Sequence, residues 1–121
     1  MTEVHILSID GFVLVTFPSV MDDGTAERLA DETAQKLVAF GARGVLIDVS
    51  NARMIDSFMG RVLAGLACAA KLLGAEPIVV GMRPEVAMTM VELGMDLGGV
   101  PTALTIEHGL ADLRARAGGR V

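Results

Sequence analysis

Two apolar runs, Gly44-Val45-Leu46-Ile47-Asp48-Val49 and Pro77-Ile78-Val79-Val80-Gly81, restrict what this chain can become more than any other feature. Both are continuous rather than alternating, the pattern of strands buried on both faces. The first sets four apolar residues around one acid, bounded by Gly44 and by the polar pair Ser50-Asn51. Between the two runs, the residues from Ser57 to Lys71 read as a long apolar helix. A strand, a helix and a second buried strand demand parallel pairing through a right-handed crossover.

The rest of the chain repeats the alternation. Val4, Ile6, Leu7 and Ile9 form a ragged strand over 3–9, Asp10-Gly11 is a hairpin dipeptide, and Phe12 to Phe17 is a second strand. Strands joined by so tight a turn are antiparallel neighbours. Pro18 ends the second. Asp22-Asp23-Gly24-Thr25 supplies capping side chains to a helix with Ala26, Leu29, Ala30, Thr33, Leu37 and Val38 at helical spacing. Gly41 stops it as a left-handed cap. The acids Asp22, Asp23, Glu27, Asp31 and Glu32 suit the start of that helix and read as a solvated face, not a metal site. On the central helix Phe58, Val62, Leu63, Leu66, Ala69, Ala70 and Leu73 are the expected stripe, while Gly60, Ala64, Gly65 and Ala67 keep the other faces narrow. Lys71 and Gly74 close it. Pro84 opens a third helix carrying Val86, Ala87, Met90, Val91 and Leu93, ended by Gly94. Thr102 to Ile106 is a short strand, and Leu110, Leu113 and Ala117 mark a last helix ending in Gly118-Gly119. The expectation is one α/β domain over 1–121. Its sheet is mixed and mostly parallel, with four to five strands, an antiparallel N-terminal strand and four helices.

Composition removes several functions. With 10 basic against 15 acidic residues the net charge is −5, and there is no Trp or Tyr and only 4 Phe. Nucleic-acid binding therefore has neither its charge nor its stacking platforms. No apolar run reaches the length of a membrane span, and no leader is recognisable. The single cysteine, Cys68, cannot form an internal disulfide, which suits a reducing cytoplasm. Set among Leu66, Ala67 and Ala69, it reads as an inert packed thiol. An apolar fraction of 52% and a mean hydropathy of +0.55 are high for a small domain, so the excess must either fill the core or lie on a surface that another chain covers.

The chemistry-bearing residues gather after the first apolar run. Ser57 stands where a helix N-cap belongs, facing outward at the carboxyl-edge crevice of an open sheet. It lacks the partners of a nucleophile. The histidines, His5 and His108, fall in the first strand and the last helix, and Ile55 and Met59 replace the glycines of a Gly-x-Ser-x-Gly elbow. No clustered metal ligands and no phosphate-cradling glycine loop occur. Asp48 reads as a strand-end acid capping the backbone at Ser50-Asn51, with a buried acid orienting the 50–57 turn as the alternative. Asp56 positions the Ser57 hydroxyl, complements the helix dipole or does both, and Phe58 and Met59 are either partner anchors or core. Met82, Met88, Met90 and Met95 offer a docking surface or, for most of them, core filling. This is a domain that is acted upon.

The order of elements, and the stretch from Gly44 to Val49 through Ile55-Asp56-Ser57-Phe58, resemble a STAS domain, the fold of anti-sigma factor antagonists. The resemblance covers essentially the whole chain. Within the family it is greatest to the stressosome scaffold branch, RsbS. Met54 to Phe58, Ala70-Lys71-Leu72-Leu73-Gly74-Ala75, Gly81 to Ala87, Val91-Glu92-Leu93-Gly94-Met95, Thr102-Ala103-Leu104 and Glu107-His108-Gly109-Leu110 carry it. Ordinary antagonists follow the serine with a second small residue and glycine; Phe58-Met59-Gly60 departs from that. The resemblance implies a non-enzymatic switch without cofactor. A serine/threonine switch kinase of RsbT type would be held by the unmodified protein, together with RsbR-type paralogues, in a homo-oligomer or large hetero-complex. Phosphorylation of Ser57, reversed by a phosphatase, would release it. Asp56, Ser57, Phe58 and Met59 are the implied contact residues. The alternative within the family is a simple antagonist binding an anti-sigma kinase one to one.

Overall fold

The computed structural model describes residues 5–118, with side chains as far as Arg116. Glu3, Val4 and Gly119, and the side chain of Ala117, all used in the expectations above, lie outside the described residues. Nine elements follow in order: β1 (His5–Ile9), β2 (Phe12–Thr16), α1 (Asp23–Phe40), β3 (Gly44–Asp48), α2 (Ser57–Leu72), β4 (Glu76–Val80), α3 (Pro84–Glu92), β5 (Thr102–Ala103) and α4 (Ile106–Gly118). The sheet runs β1-β2-β3-β4-β5, antiparallel between β1 and β2 and parallel thereafter. The mixed five-stranded sheet with four helices is the expected architecture.

The hairpin turns on Asp10 (φ 53°) and Gly11 (φ 82°). Two consecutive left-handed residues make the primed turn whose twist matches the strands. Asp10 also pairs with Arg114 of α4.

Because each strand connects to its immediate neighbour, same-handed crossovers lay α1, α2 and α3 on one face of the sheet. Val13, Val15, Val45, Ile47 and Val79 point into that layer. The alternate residues Phe12, Leu46, Ile78 and Val80 point the other way, against Leu110 and Leu113 of α4. Both faces of β3 and β4 are thus covered, which is why their sequences do not alternate. Each such Leu, Ile or Val taken fully from water contributes about 1.5–3 kcal/mol. Helix α4 lies close to the sheet because Gly109 has no side chain: a Cβ there would stand 2.6 Å from Val80 Cγ1.

Three details depart from expectation. Helix α2 is rotated: Met59, Gly60, Leu63, Leu66, Ala67 and Ala70 are buried, while Leu73 is exposed and Phe58 and Val62 are half-buried. Gly60 and Ala67 face inward because α2 approaches the sheet and the residues before Val100 closely. The last strand stops at Ala103, because the Thr105 hydroxyl accepts a hydrogen bond from the His108 N–H (3.1 Å) and so starts α4. Cys68 is not packed. It is exposed, one turn from Lys71, on a shallow cavity of about 320 Å³ with Ala64, Leu97 and Val100.

Candidate functional site

Beyond β3 the backbone keeps to the sheet for one more residue, with the Val49 N–H donating to the Val80 carbonyl (3.0 Å). The chain then turns. Asp48 Oδ1 accepts from the Ser50 N–H (3.0 Å), and the Ala52 N–H donates to the Val49 carbonyl (3.0 Å). Asp48 is therefore the backbone cap its position suggests. Every third residue of the turn is staked into the core: Val49, Ala52 and Ile55 are all buried. From the neighbouring connection, Arg83 Nε donates to the Ser50 carbonyl (3.0 Å). Gly81, at φ 74°, lets β4 pass so close that a Cβ would sit 2.9 Å from Ser50 Cβ and 3.2 Å from Asp48 Oδ1. Sequence reasoning assigned neither Gly81 nor Arg83 to the site. A glycine between a strand and Pro84 was the available signal for the first; nothing local signals the second.

The turn delivers Asp56, and Asp56, not Ser57, is the N-cap of α2. Its backbone is extended (φ −101°, ψ 179°), and its Oδ1 accepts from the Met59 N–H (2.9 Å). Both residue types cap helices, and the carboxylate takes the role because it stands one residue earlier, where β-region backbone aims it at the N3 amide. Ser57 becomes the first helical residue. It is exposed, and no described residue hydrogen-bonds its hydroxyl. The first turn of α2 contains no acid. With the Met59 amide taken by Asp56, the N–H groups of Ser57 and Phe58 are the open donors of this helix end.

The four candidate residues divide. Asp56 and Ser57 stand together at the surface. Phe58 is half-buried against the core, and Met59, expected as a possible anchor for a partner, is 6% exposed and packs inward. Met59 belongs to the buried cluster that joins α1, α2 and α3 to the sheet. Sequence reasoning also passed over the apolar residues that share a cavity with Asp56. Met54 is 81% and Val20 72% exposed, and both line a shallow cavity of about 240 Å³ with Ser19, Met21, Ile55, Asp56 and Met59. Among the described residues no group of three or more His, Cys, Asp or Glu side chains could hold a metal. No helix there is long and apolar enough to cross a membrane.

Comparison with known proteins agrees with this fold. The STAS domain family matches residues 3–108. A serine-to-glutamate variant of Moorella thermoacetica RsbS superposes with a TM-score of 0.84 at 32% identity, over 96% of this chain and 98% of that one. A chain from the stressosome, a signal integration and transduction hub, also gives 0.84 at 32% identity, over 97% and 100%. Among curated relatives, the RsbT co-antagonist protein RsbRA of Bacillus subtilis is 28% identical over 101 residues, 84% of this chain and 37% of the relative. This chain therefore spans well under half the length of that relative. The anti-sigma factor antagonist SpoIIAA, at 14% identity and a TM-score of 0.71, shares the fold. The chain belongs to the STAS domain family, with the fold of the anti-sigma factor antagonists and the likeness of stressosome RsbS and RsbR proteins.

Proposed function

We propose that this chain is a non-enzymatic, phosphorylatable scaffold of a stressosome-like complex. Co-assembled with RsbR-type paralogues, it holds an RsbT-type serine/threonine switch kinase and releases it when Ser57 is phosphorylated; a phosphatase resets it. Kinase, phosphatase and paralogues put this work in the cytoplasm. The observation that carries the reading is the exposed, unpartnered hydroxyl of Ser57 at the start of α2, next to the Asp56 cap and in a first turn that holds no acid.

A phosphate there adds about −1.5 to −2 charges at pH 7. The open N–H groups and the helix dipole accept an anion at that position, so the fold survives modification. The cost falls on the partner. A surface seated on Met54, Val20 and the Asp56 carboxylate must then accommodate new charge beside an existing one, out of water. Such crowding amounts to several kcal/mol, a loss of affinity of about a hundredfold or more.

The test is capture of the switch kinase by wild type and by Ser57→Asp, with phosphosite mass spectrometry after incubation with that kinase and ATP. Modification at Ser57 and a hundredfold weaker capture by the variant are expected. Equal capture, or modification elsewhere, overturns the reading. Mixing with RsbR-type paralogues is expected to yield a megadalton particle; a heterodimer with an anti-sigma kinase instead would mark a one-to-one antagonist.

A further inference from the structure

Resting on the reading of Ser57 as the modified residue, we propose that Arg61 is the internal receiver of its phosphate. The modified serine pairs with the guanidinium one turn on in α2, and so withdraws a cation that the unmodified chain presents to an acidic surface of its partner.

The first support is geometric. Residues four apart on a helix lie one above the other, about 40° apart around the axis. Ser57 and Arg61 stand in that relation on the first two turns of α2, and both are exposed. The anion would come first and the cation second, the favourable order for such a pair. A guanidinium meets phosphate oxygens through two parallel N–H donors, which fixes the contact in direction as well as in charge.

The second support is that nothing else claims Arg61. Among the described residues it has no hydrogen bond or ion pair. Its neighbours three and four residues away are Ser57, Phe58, Ala64 and Gly65, and of these only the serine can become an anion. Asp56 stands five residues back, outside that spacing, and its Oδ1 already accepts from the Met59 N–H (2.9 Å). The other helix cations are provided for. Arg28 has Asp31 and Glu32 at three and four residues, Lys36 has Glu32, and Arg116 has Asp112. Arg114 pairs with Asp10, and Lys71 donates to the Gly98 carbonyl (3.5 Å). In α2 a serine occupies the place that an acid fills elsewhere.

The third is the local charge. Residues 49–75 hold three basic side chains, Arg53, Arg61 and Lys71, against the single acid Asp56; the rest of the chain has seven against fourteen. An acidic protein thus turns a positive strip toward whatever meets the start of α2, and complementary potential selects a partner surface that is acidic. A phosphate of about −1.5 to −2 charges cancels that strip. Partner and phosphate compete for one guanidinium.

Inserting phosphoserine at position 57 during translation tests the pairing without any kinase. In the nitrogen–proton NMR spectrum the Arg61 Nε–H signal, assigned by its loss in Arg61→Gln, is expected to shift on modification, while that of the distant Arg116 is not. Capture of the switch kinase tests the withdrawal. Arg61→Gln is expected to weaken capture by the unmodified chain by roughly tenfold, and Arg116→Gln to leave it unchanged. Ser57→Asp, which is expected to cost wild type about a hundredfold, should cost the Arg61→Gln chain only about tenfold, because the cation it would withdraw is already gone. Arg61→Lys, which keeps the charge, is expected to restore most of the difference. An Arg61 signal that modification leaves in place, or an undiminished hundredfold loss in the Arg61→Gln chain, overturns the proposal. Failure of wild type to capture the kinase at all would overturn the proposed function instead, and the NMR shift would still decide the pairing.

Discussion

Helices α1 and α2 begin in almost the same way and end up with different potential uses. Each follows an extended aspartate whose carboxylate accepts a hydrogen bond from the N3 amide: Asp22 from Thr25 (2.7 Å) and Asp56 from Met59 (2.9 Å). The contrast lies in the next residue. In α1 the first helical position is Asp23, which already places a negative charge against the dipole; in α2 it is Ser57, and the first turn has no acid. One start is electrostatically complete. The other keeps its cap and leaves room for an anion, so a phosphate on Ser57 would supply what Asp23 supplies permanently. A modification site of the proposed kind would need no special scaffold, only an ordinary capped helix with one charge withheld.

The largest effect that could break this comparison concerns the third position. Met59 anchors the start of α2 in the core, so Met59→Ala is expected to cost about 2–5 kcal/mol in urea unfolding. A cost under about 1 kcal/mol would mean that α2 is not pinned and that Ser57 is not held in place. Next, removing either cap by Asp56→Ala or Asp22→Ala is expected to cost about 0.5–2 kcal/mol, similarly at both helices. A negligible loss at Asp56 alone would show the two starts to be unlike. Smaller still is the exchange of first-position charges. Ser57→Asp is expected to stabilise, and Asp23→Ser to destabilise, by about 0.3–1 kcal/mol at low ionic strength, both fading with salt. Equal signs would refute the argument from the dipole.

The smallest effect is in the pH dependence. The Thr25 backbone N–H first, and its hydroxyl second, hold the Asp22 carboxyl below its ordinary value of 3.8. A depressed carboxyl contributes stability above that ordinary value and loses it as pH falls through the lower, folded-state value. Wild type is therefore expected to lose slightly more stability below pH 3.8 than Asp22→Asn does. Matching unfolding curves for the two in acid would remove Asp22 from the account.

Much of this molecule can be read without coordinates, for local reasons. Asp10-Gly11 specifies its turn because both positions must be left-handed, and Gly41 ends α1 at φ 56° for the same reason. Pro84 opens α3 through its fixed φ, and Asp48 caps its own turn by accepting from the N–H two residues on. The two continuous apolar runs announce a central parallel pair because covering both faces removes the alternation. These determinants lie within one strand or one turn, where the residue type dictates the geometry.

What the chain alone left open is the phase of α2. Its residues are apolar or small on several sides, so a period of 3.6 fits more than one rotation, and Ser57 or Asp56 could each have been the cap. Contact with the sheet on one side and with Met95 beside Gly60 selects the rotation. That choice turns Met59 inward, brings Cys68 out, and leaves Ser57 exposed beside Met54. Arg83 reaching Ser50, and Leu7 left uncovered where α4 ends, depend equally on segments far apart in sequence. Short-range stereochemistry wrote the elements; burial, which is a property of the assembled layers, decided which side of each one meets the world.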